Sequence, residues 1–90
     1  MSLGTVTASS EARTSLQVHP DDNVATLLDN VVDCTLLADG MTIAAGIPFG
    51  HKVALRRMEV GSAVVKYGVT IGTATHVIHP GEHVHVHNVV

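Results

Sequence analysis

Apolar positions along this chain come in short runs broken by glycine, and one stretch departs from that rhythm. Ser15 to Val18 reads as a short strand, stopped by His19-Pro20. Asp21-Asp22-Asn23 then precedes Val24, Leu27 and Leu28, which are apolar at i, i+3 and i+4. A capping cluster ahead of that spacing, with acidic groups suited to the helix dipole, predicts one short helix near residues 22–30, closed by Asp29-Asn30. From Val31 onward the pattern is different: Gly40, Gly46, Gly50, Gly61, Gly68, Gly72 and Gly81 separate short apolar runs. That spacing predicts short strands joined by turns, hence a mainly β protein built of short bent hairpins.

Within this region the chain repeats itself. Leu37-Ala38-Asp39-Gly40-Met41-Thr42-Ile43, Met58-Glu59-Val60-Gly61-Ser62-Ala63-Val64 and Ile78-His79-Pro80-Gly81-Glu82-His83-Val84 share the form apolar-x-x-Gly-x-x-apolar, at offsets of 21 and 20 residues. Each copy predicts an apolar anchor, a glycine turn and a return to the core three residues later. Residues 1–14 are small and polar without periodicity and read as a flexible N-terminal tail; residues 15–90 read as one domain.

Composition sharpens this picture. Hydrophobic residues make up 46 % of the chain while aromatics are only Phe49 and Tyr67, so valine and small side chains must fill the core. Ninety residues bury a modest share of their surface, and one cysteine, Cys34, precludes an intrachain disulfide. A metal, a partner chain or copies of the chain itself remain as sources of extra stability. Cys34, between Val31-Val32 and Leu36-Leu37, reads as a buried small hydrophobe. The net charge is −3 and the five basic residues are scattered, which argues against nucleic-acid binding. No run of eighteen apolar residues exists, so no membrane span is expected, and the reading is a soluble cytoplasmic protein.

Histidine carries the candidate chemistry. Five of the seven histidines fall in the last fifteen residues, and Gly81-Glu82-His83-Val84-His85-Val86-His87-Asn88 alternates strictly. As a strand it predicts His83, His85 and His87 on one face and Val84 and Val86 turned to the core. Side chains at i and i+2 start about 6.6 Å apart, on a rise of about 3.3 Å per residue. Two imidazoles so placed can converge on one divalent ion at about 2.1 Å from each nitrogen. Three spread over about 13 Å can hardly all do so, which limits the ligands to two of the three. Glu82 and Asn88 offer oxygens nearby, as ligands or as groups that orient the rings. The same alternation also describes an ordinary polar face opposite a valine face. His19 and His79, each beside a proline, read as turn residues, and His76 as structural.

A second polar focus is Gly50-His51-Lys52, between Ile47-Pro48-Phe49 and Val53-Ala54-Leu55. A glycine permits a sharp turn, after which an imidazole and an ammonium are presented together, able to bind a carboxylate or move a proton. An ordinary polar loop would have the same composition. No serine–histidine–aspartate order, phosphate loop or cysteine pair is present.

Taken together, His19 to Ala25, Ile47 to Leu55, Val65 to Gly68, Ile71 to Ala74 and Gly81 to Asn88 resemble the SAF domain of the altronate dehydratase family, over roughly residues 18–90. The resemblance implies a β-clip fold and the small subunit of a sugar-acid dehydratase, a hydro-lyase that is inactive without a large catalytic subunit. Related galactarate dehydratases and the sulfolactate sulfo-lyase small subunit likewise eliminate a β substituent from an α-hydroxy acid. The resemblance implies a divalent metal, iron or manganese, as cofactor and a sugar acid as substrate. The ending with His83, His85, His87 and Asn88 favours altronate over galactarate and leaves sulfolactate open. On this footing His85 and His87 are the expected metal ligands, His51 and Lys52 the expected catalytic residues, and Gly50, His51 and Lys52 the expected substrate contacts. A non-catalytic carbohydrate- or partner-binding module and a free-standing metal carrier are the alternatives.

Overall fold

A computed structural model of the chain describes residues 12–90. It contains six short strands: β1 Ser15–Leu16, β2 Val24–Leu27, β3 Lys52–Ala54, β4 Ala63–Lys66, β5 Val69–Thr73 and β6 His83–Val84. All pairings between them are antiparallel. One sheet has the order β1-β2-β3-β6, and β4 and β5 form a separate hairpin. The β4–β5 turn is Tyr67-Gly68, with φ of 57° and 76°, the doubly left-handed turn that suits the twist of a two-residue hairpin.

The helix expected near residues 22–30 is not formed; Val24–Leu27 is a strand. All four of its residues are buried, because β2 lies between β1 and β3 with core on both faces. A strand buried on both sides has no reason to alternate, and its apolar run then coincides with helical spacing. Asp22, expected as a cap, pins loops together. Its carboxylate accepts hydrogen bonds from the backbone N–H groups of Val18, His19 and Gly68.

The register separates two cores. Val24 pairs with Ala54, and Lys52 with Val84; Val24, Ala54 and Val84 join Met58, Val64, Ala74 and Ile78 on one side of the sheet. Ala25 pairs with Val53, and these join Leu27, Leu37, Ile43 and Ile47 on the other. The threefold repeat supplies both cores. Its anchors Leu37, Met58 and Ile78 and its return residues Ile43, Val64 and Val84 are all buried, and Gly40, Gly61 and Gly81 turn with φ of 94°, 87° and 88°. Met58 and Ile78, the anchors of the second and third copies, bridge directly. At Gly81 a side chain would also strike the Thr42 carbonyl, so this turn admits no other residue without a shift.

Two further expectations change. Residues 1–11 of the expected tail lie outside the described residues, but Arg13 and Thr14, assigned to it, are tied into the fold. Arg13 is fully buried; its guanidinium donates to Asp29 Oδ1 at 2.8 Å, the Asp29 carbonyl at 2.8 Å and the Ile47 carbonyl at 2.6 Å. Thr14 N–H donates to the other Asp29 oxygen at 2.7 Å. Cys34 is only half-buried, with Val31, Val32 and Leu36 exposed around it, so the apolar run at 31–37 covers the surface and sends only Leu37 inward.

Truncating one partner of a fully buried ion pair costs about 3–5 kcal/mol. Because Asp29 is 24 % exposed and keeps its Thr14 bond, the cost here is lower, about 1–3 kcal/mol. Arg13→Ala is therefore expected to fall in that lower range in denaturant unfolding, and Arg13→Ala/Asp29→Ala to lose less than the sum of the single changes. A single change within about 1 kcal/mol of the parent would show that the pair does not hold the β1–β2 corner.

Candidate metal centre

The β3–β6 ladder builds the site. Lys52 pairs with Val84 and Val53 with His83, so continuing the antiparallel register sets His51 opposite His85. Alternation places His83 and His85 on the face that carries Val53, next to the second core. His51 is brought in by its own turn: its N–H donates to the Pro48 carbonyl, and its carbonyl accepts from Leu27.

The rings converge. His51 Nδ1 lies 2.9 Å from His83 Nε2. The His51 and His85 rings stack at a centroid distance of 4.2 Å, and those of His83 and His85 at 5.6 Å. One nitrogen from each of these three histidines lies within 4.8 Å of the other two. Two ligands at right angles about 2.1 Å from one ion would be about 3 Å apart, so the His51–His83 spacing already matches an adjacent ligand pair.

Electrostatics favours the neutral form of His83 and His85. His83 is pushed down to about 4, first by desolvation and then by the nearby imidazoles of His51, His87 and His85 and the Lys52 ammonium. His85 is lowered for the same reasons, burial first and then His51, Lys52 and His87. Neutral imidazole is the form that donates to a metal. Imidazole donors suit divalent iron, zinc, copper or nickel, so the residues present fit a divalent metal such as iron, while manganese would draw further on oxygen ligands.

The expected strand does not run to its end. β6 stops at Val84, and the N–H groups of Asn88 and Val89 both donate to the His85 carbonyl, closing a turn. Asn88 fixes that turn from within: buried, it accepts from the His85 N–H at 3.0 Å and donates to the His83 carbonyl at 2.9 Å. Val86 is consequently 82 % exposed instead of core-facing. His87 is exposed within the turn, outside the convergent trio, its ring 5.4 Å from that of His83. The trio is thus His51, His83 and His85: of the two expected ligands His85 lies in it and His87 borders it, and His51, expected as a catalytic and substrate-contacting residue, stands within it. Gly50, with φ of 83°, supplies the bend before His51. Lys52 pairs with Val84 and so leaves β3 on the face opposite the trio, meeting it through the hollow it shares with His85. It is half-buried, and burial, then the Lys66 charge, lower its pKa.

Two hollows flank the trio. One, of about 380 Å³, is bordered by His76, Glu82, His83, His87 and Asn88; the other, of about 250 Å³, by Lys52, His85, Ile71, Val86, Val89 and Val90. His79 is a turn residue, donating its N–H to Glu82 Oε1, and His19 likewise closes a turn with Asp22. Among the described residues no helix is long and apolar enough to cross a membrane.

Comparison with known proteins gives the family. Residues 13–90 match the family described as the altronate/galactarate dehydratase SAF domain. Altronate dehydratase of Bacillus subtilis is 40 % identical over 76 residues, 81 % of this chain and 15 % of that protein. The (2R)-sulfolactate sulfo-lyase subunit alpha of Chromohalobacter salexigens is 54 % identical over 43 residues, 48 % of this chain and 46 % of that subunit. The subunit alpha of Paracoccus pantotrophus is 41 % identical over 59 residues, 61 % of this chain and 88 % of that subunit. The chain therefore spans under half of the first two of these relatives.

A depressed histidine pKa has a signed consequence. Between about pH 6.5 and 4 the unfolded His83 takes up a proton that the folded ring refuses, so the metal-free chain is expected to lose stability as pH falls through that window. Below it, Asp22 and Asp29 add a further loss. Both carboxyls are held low although burial opposes this, by backbone N–H groups and, for Asp29, also by Arg13. Thermal unfolding at stepped pH should show a shallower decline for His83→Asn across the upper window; identical slopes would clear His83 of the effect.

Proposed function

We propose that this chain, which belongs to the altronate/galactarate dehydratase SAF-domain family, is the small metal-bearing subunit of a sugar-acid dehydratase of the altronate type. The reaction would remove water from an α,β-dihydroxy acid. The observation that carries this reading is the convergence of His51, His83 and His85 within 4.8 Å.

His51, His83 and His85 would hold the divalent ion, iron or manganese. Once bound, the ion supplies a Lewis acid for the carboxylate and α-hydroxyl of the substrate, whose charge grows as the adjacent proton leaves. This chain's other groups position the substrate. Lys52 stands beside the trio and can pair with the carboxylate; its lowered pKa also makes it a better proton donor toward a departing hydroxyl than an exposed lysine. Gly50 gives the backbone bend that precedes His51. Asn88 holds the His83–His85 turn, so it sets where two of the three donors stand. The carbon acid still needs a base, which we assign to a large companion subunit or an equivalent catalytic body. The 15 % share of the Bacillus subtilis dehydratase that this chain matches supports that division of labour.

A second reading, the small subunit of a sulfolactate sulfo-lyase, is favoured by the match that covers 88 % of the Paracoccus pantotrophus subunit alpha. The same trio and lysine would serve it, with sulfite leaving in place of water. Turnover of altronate against sulfolactate by the assembled enzyme separates the two. A module that only binds a carbohydrate or a partner would need no converging donors.

Equilibrium dialysis of the full chain against Mn²⁺, or Fe²⁺ without air, is expected to show one ion per chain. His51→Ala, His83→Ala and His85→Ala should each weaken binding at least tenfold. Asn88→Ala should weaken it about ten- to hundredfold, as loss of a group that orients ligands does. His87→Ala should change it little. In the assembled enzyme His85→Ala should abolish most turnover while the chain's circular dichroism is unchanged. Parental affinity in all three trio variants would refute the metal assignment.

A further inference from the structure

The two hollows beside the trio differ in chemistry, and that difference divides their roles. The larger, about 380 Å³, carries the polar atoms. Thr75 Oγ1 lies 2.9 Å from His76 Nδ1, which leaves His76 Nε2 for another partner. Glu82 Oε1 accepts the His79 N–H at 2.7 Å, which leaves the second carboxylate oxygen uncommitted to that turn. The exposed His87 imidazole borders the same cleft. The smaller hollow offers Ile71, Val86, Val89 and Val90 around Lys52 and His85. A hydroxylated carbon chain loses hydrogen bonds to water when it is bound, and it must recover them from donors and acceptors. The larger cleft supplies both kinds in number beside the trio, whereas the smaller has Lys52 and His85 set among apolar side chains.

Building on the function proposed above, we infer that the cleft between His83 and His76 is a subsite for the uncharged, hydroxylated tail of a mono-acid, with Glu82 setting its preference. An imidazole nitrogen and a carboxylate oxygen give hydroxyl groups one partner of each kind: the carboxylate accepts from an O–H, and the imidazole can donate or accept by tautomer. The carboxylate also imposes a sign. A tail that ends in a hydroxyl gains a charge-assisted hydrogen bond from Glu82, whereas one that ends in a carboxylate or sulfonate meets a like charge. The acid group of the substrate belongs at the other end, beside Lys52 and the imidazoles. Glu82 and Lys52 thus place opposite charges on the two sides of the trio, and a mono-acid with a neutral polyol tail fits that polarity in one orientation. A diacid fits it in neither.

The test uses the chain assembled with its catalytic body and two six-carbon probes of the same stereochemistry, altronate and its diacid altrarate. Parent and Glu82→Gln enzymes are loaded with metal to the same measured occupancy. Altronate turnover is followed with altrarate present as competing substrate or inhibitor. Glutamine keeps the Oε1 acceptor for the His79 turn but removes the charge. The expected result is a parent enzyme that favours altronate, and a Glu82→Gln enzyme in which the ratio of altronate to altrarate apparent affinity falls about tenfold, as removing one like-charge contact allows. His76→Ala should raise KM for altronate more than it lowers kcat. A ratio unchanged by Glu82→Gln in an active enzyme overturns the subsite and leaves the dehydratase reading standing. A parent assembly with no lyase activity on either acid or on sulfolactate overturns both.

Discussion

Everything at the site depends on a ladder of two rungs. Lys52–Val84 and Val53–His83 are the two paired positions of β3 and β6, yet they bring together histidines 32 positions apart. A slip of one residue would carry His83 and His85 to the opposite face of the sheet and disperse the trio. So short a ladder is held from outside itself. The Gly81 N–H donates to the Ala54 carbonyl and the Ala54 N–H to the Glu82 carbonyl, clamping the end of β3 against the turn before β6. Val84 and Ala54 are packed in one core and Val53 in the other, so a slip would expose residues on both faces at once. The site's geometry is therefore a consequence of core packing more than of any bond among the histidines.

That packing is strong enough to hold an arrangement that electrostatics opposes. Four imidazoles and the Lys52 ammonium are crowded together, and desolvation with mutual repulsion pushes His83 down to about 4. At His83 and His85, where the neutral ring is favoured, protonation competes less for the lone pairs that a divalent cation requires. The contrast with Arg13 is instructive. There a buried charge is matched by one carboxylate and two carbonyls, as a group with a purely structural task should be.

How much of this was legible in the sequence follows from which interactions are local. The glycine repeat could be read because each turn is specified within seven residues, and its anchors and return residues are all buried. Val24–Leu27 could not be read as a strand from periodicity, since burial on both faces erases the alternation that marks a half-buried one. The alternating histidines correctly paired His83 with His85 on one face. The pattern failed beyond them because Asn88, a single polar side chain, turns the backbone at His85 and leaves Val86 outside. Asn88 carried a signal: an asparagine three residues after a histidine can accept that residue's N–H and close a turn. Gly50-His51-Lys52 stood out as a polar focus, but its union with His83 and His85 is a matter of register across 32 positions. Arg13 looked like part of a tail because its partners, Asp29 and Ile47, lie far along the chain.

The distribution of polar groups around the trio bears on why this module would work beside a larger body. An elimination next to a carboxylate needs a group that accepts the developing charge and a group that takes the proton. On the proposed reading the trio and Lys52 serve the first need. For the second, Glu82 is among the described residues the only carboxylate bordering either hollow, and it lies on the side assigned to the substrate tail. The other side ends in Ile71, Val86 and Val90, each exposed by 45 % or more around Lys52 and His85. Apolar side chains beside a lysine and an imidazole are poorly served by water and well served by a protein surface. A companion seated there would bury them, desolvate Lys52 further and bring its base to the open side of the trio. The same act of docking would then complete the site and repay the exposure of its apolar rim.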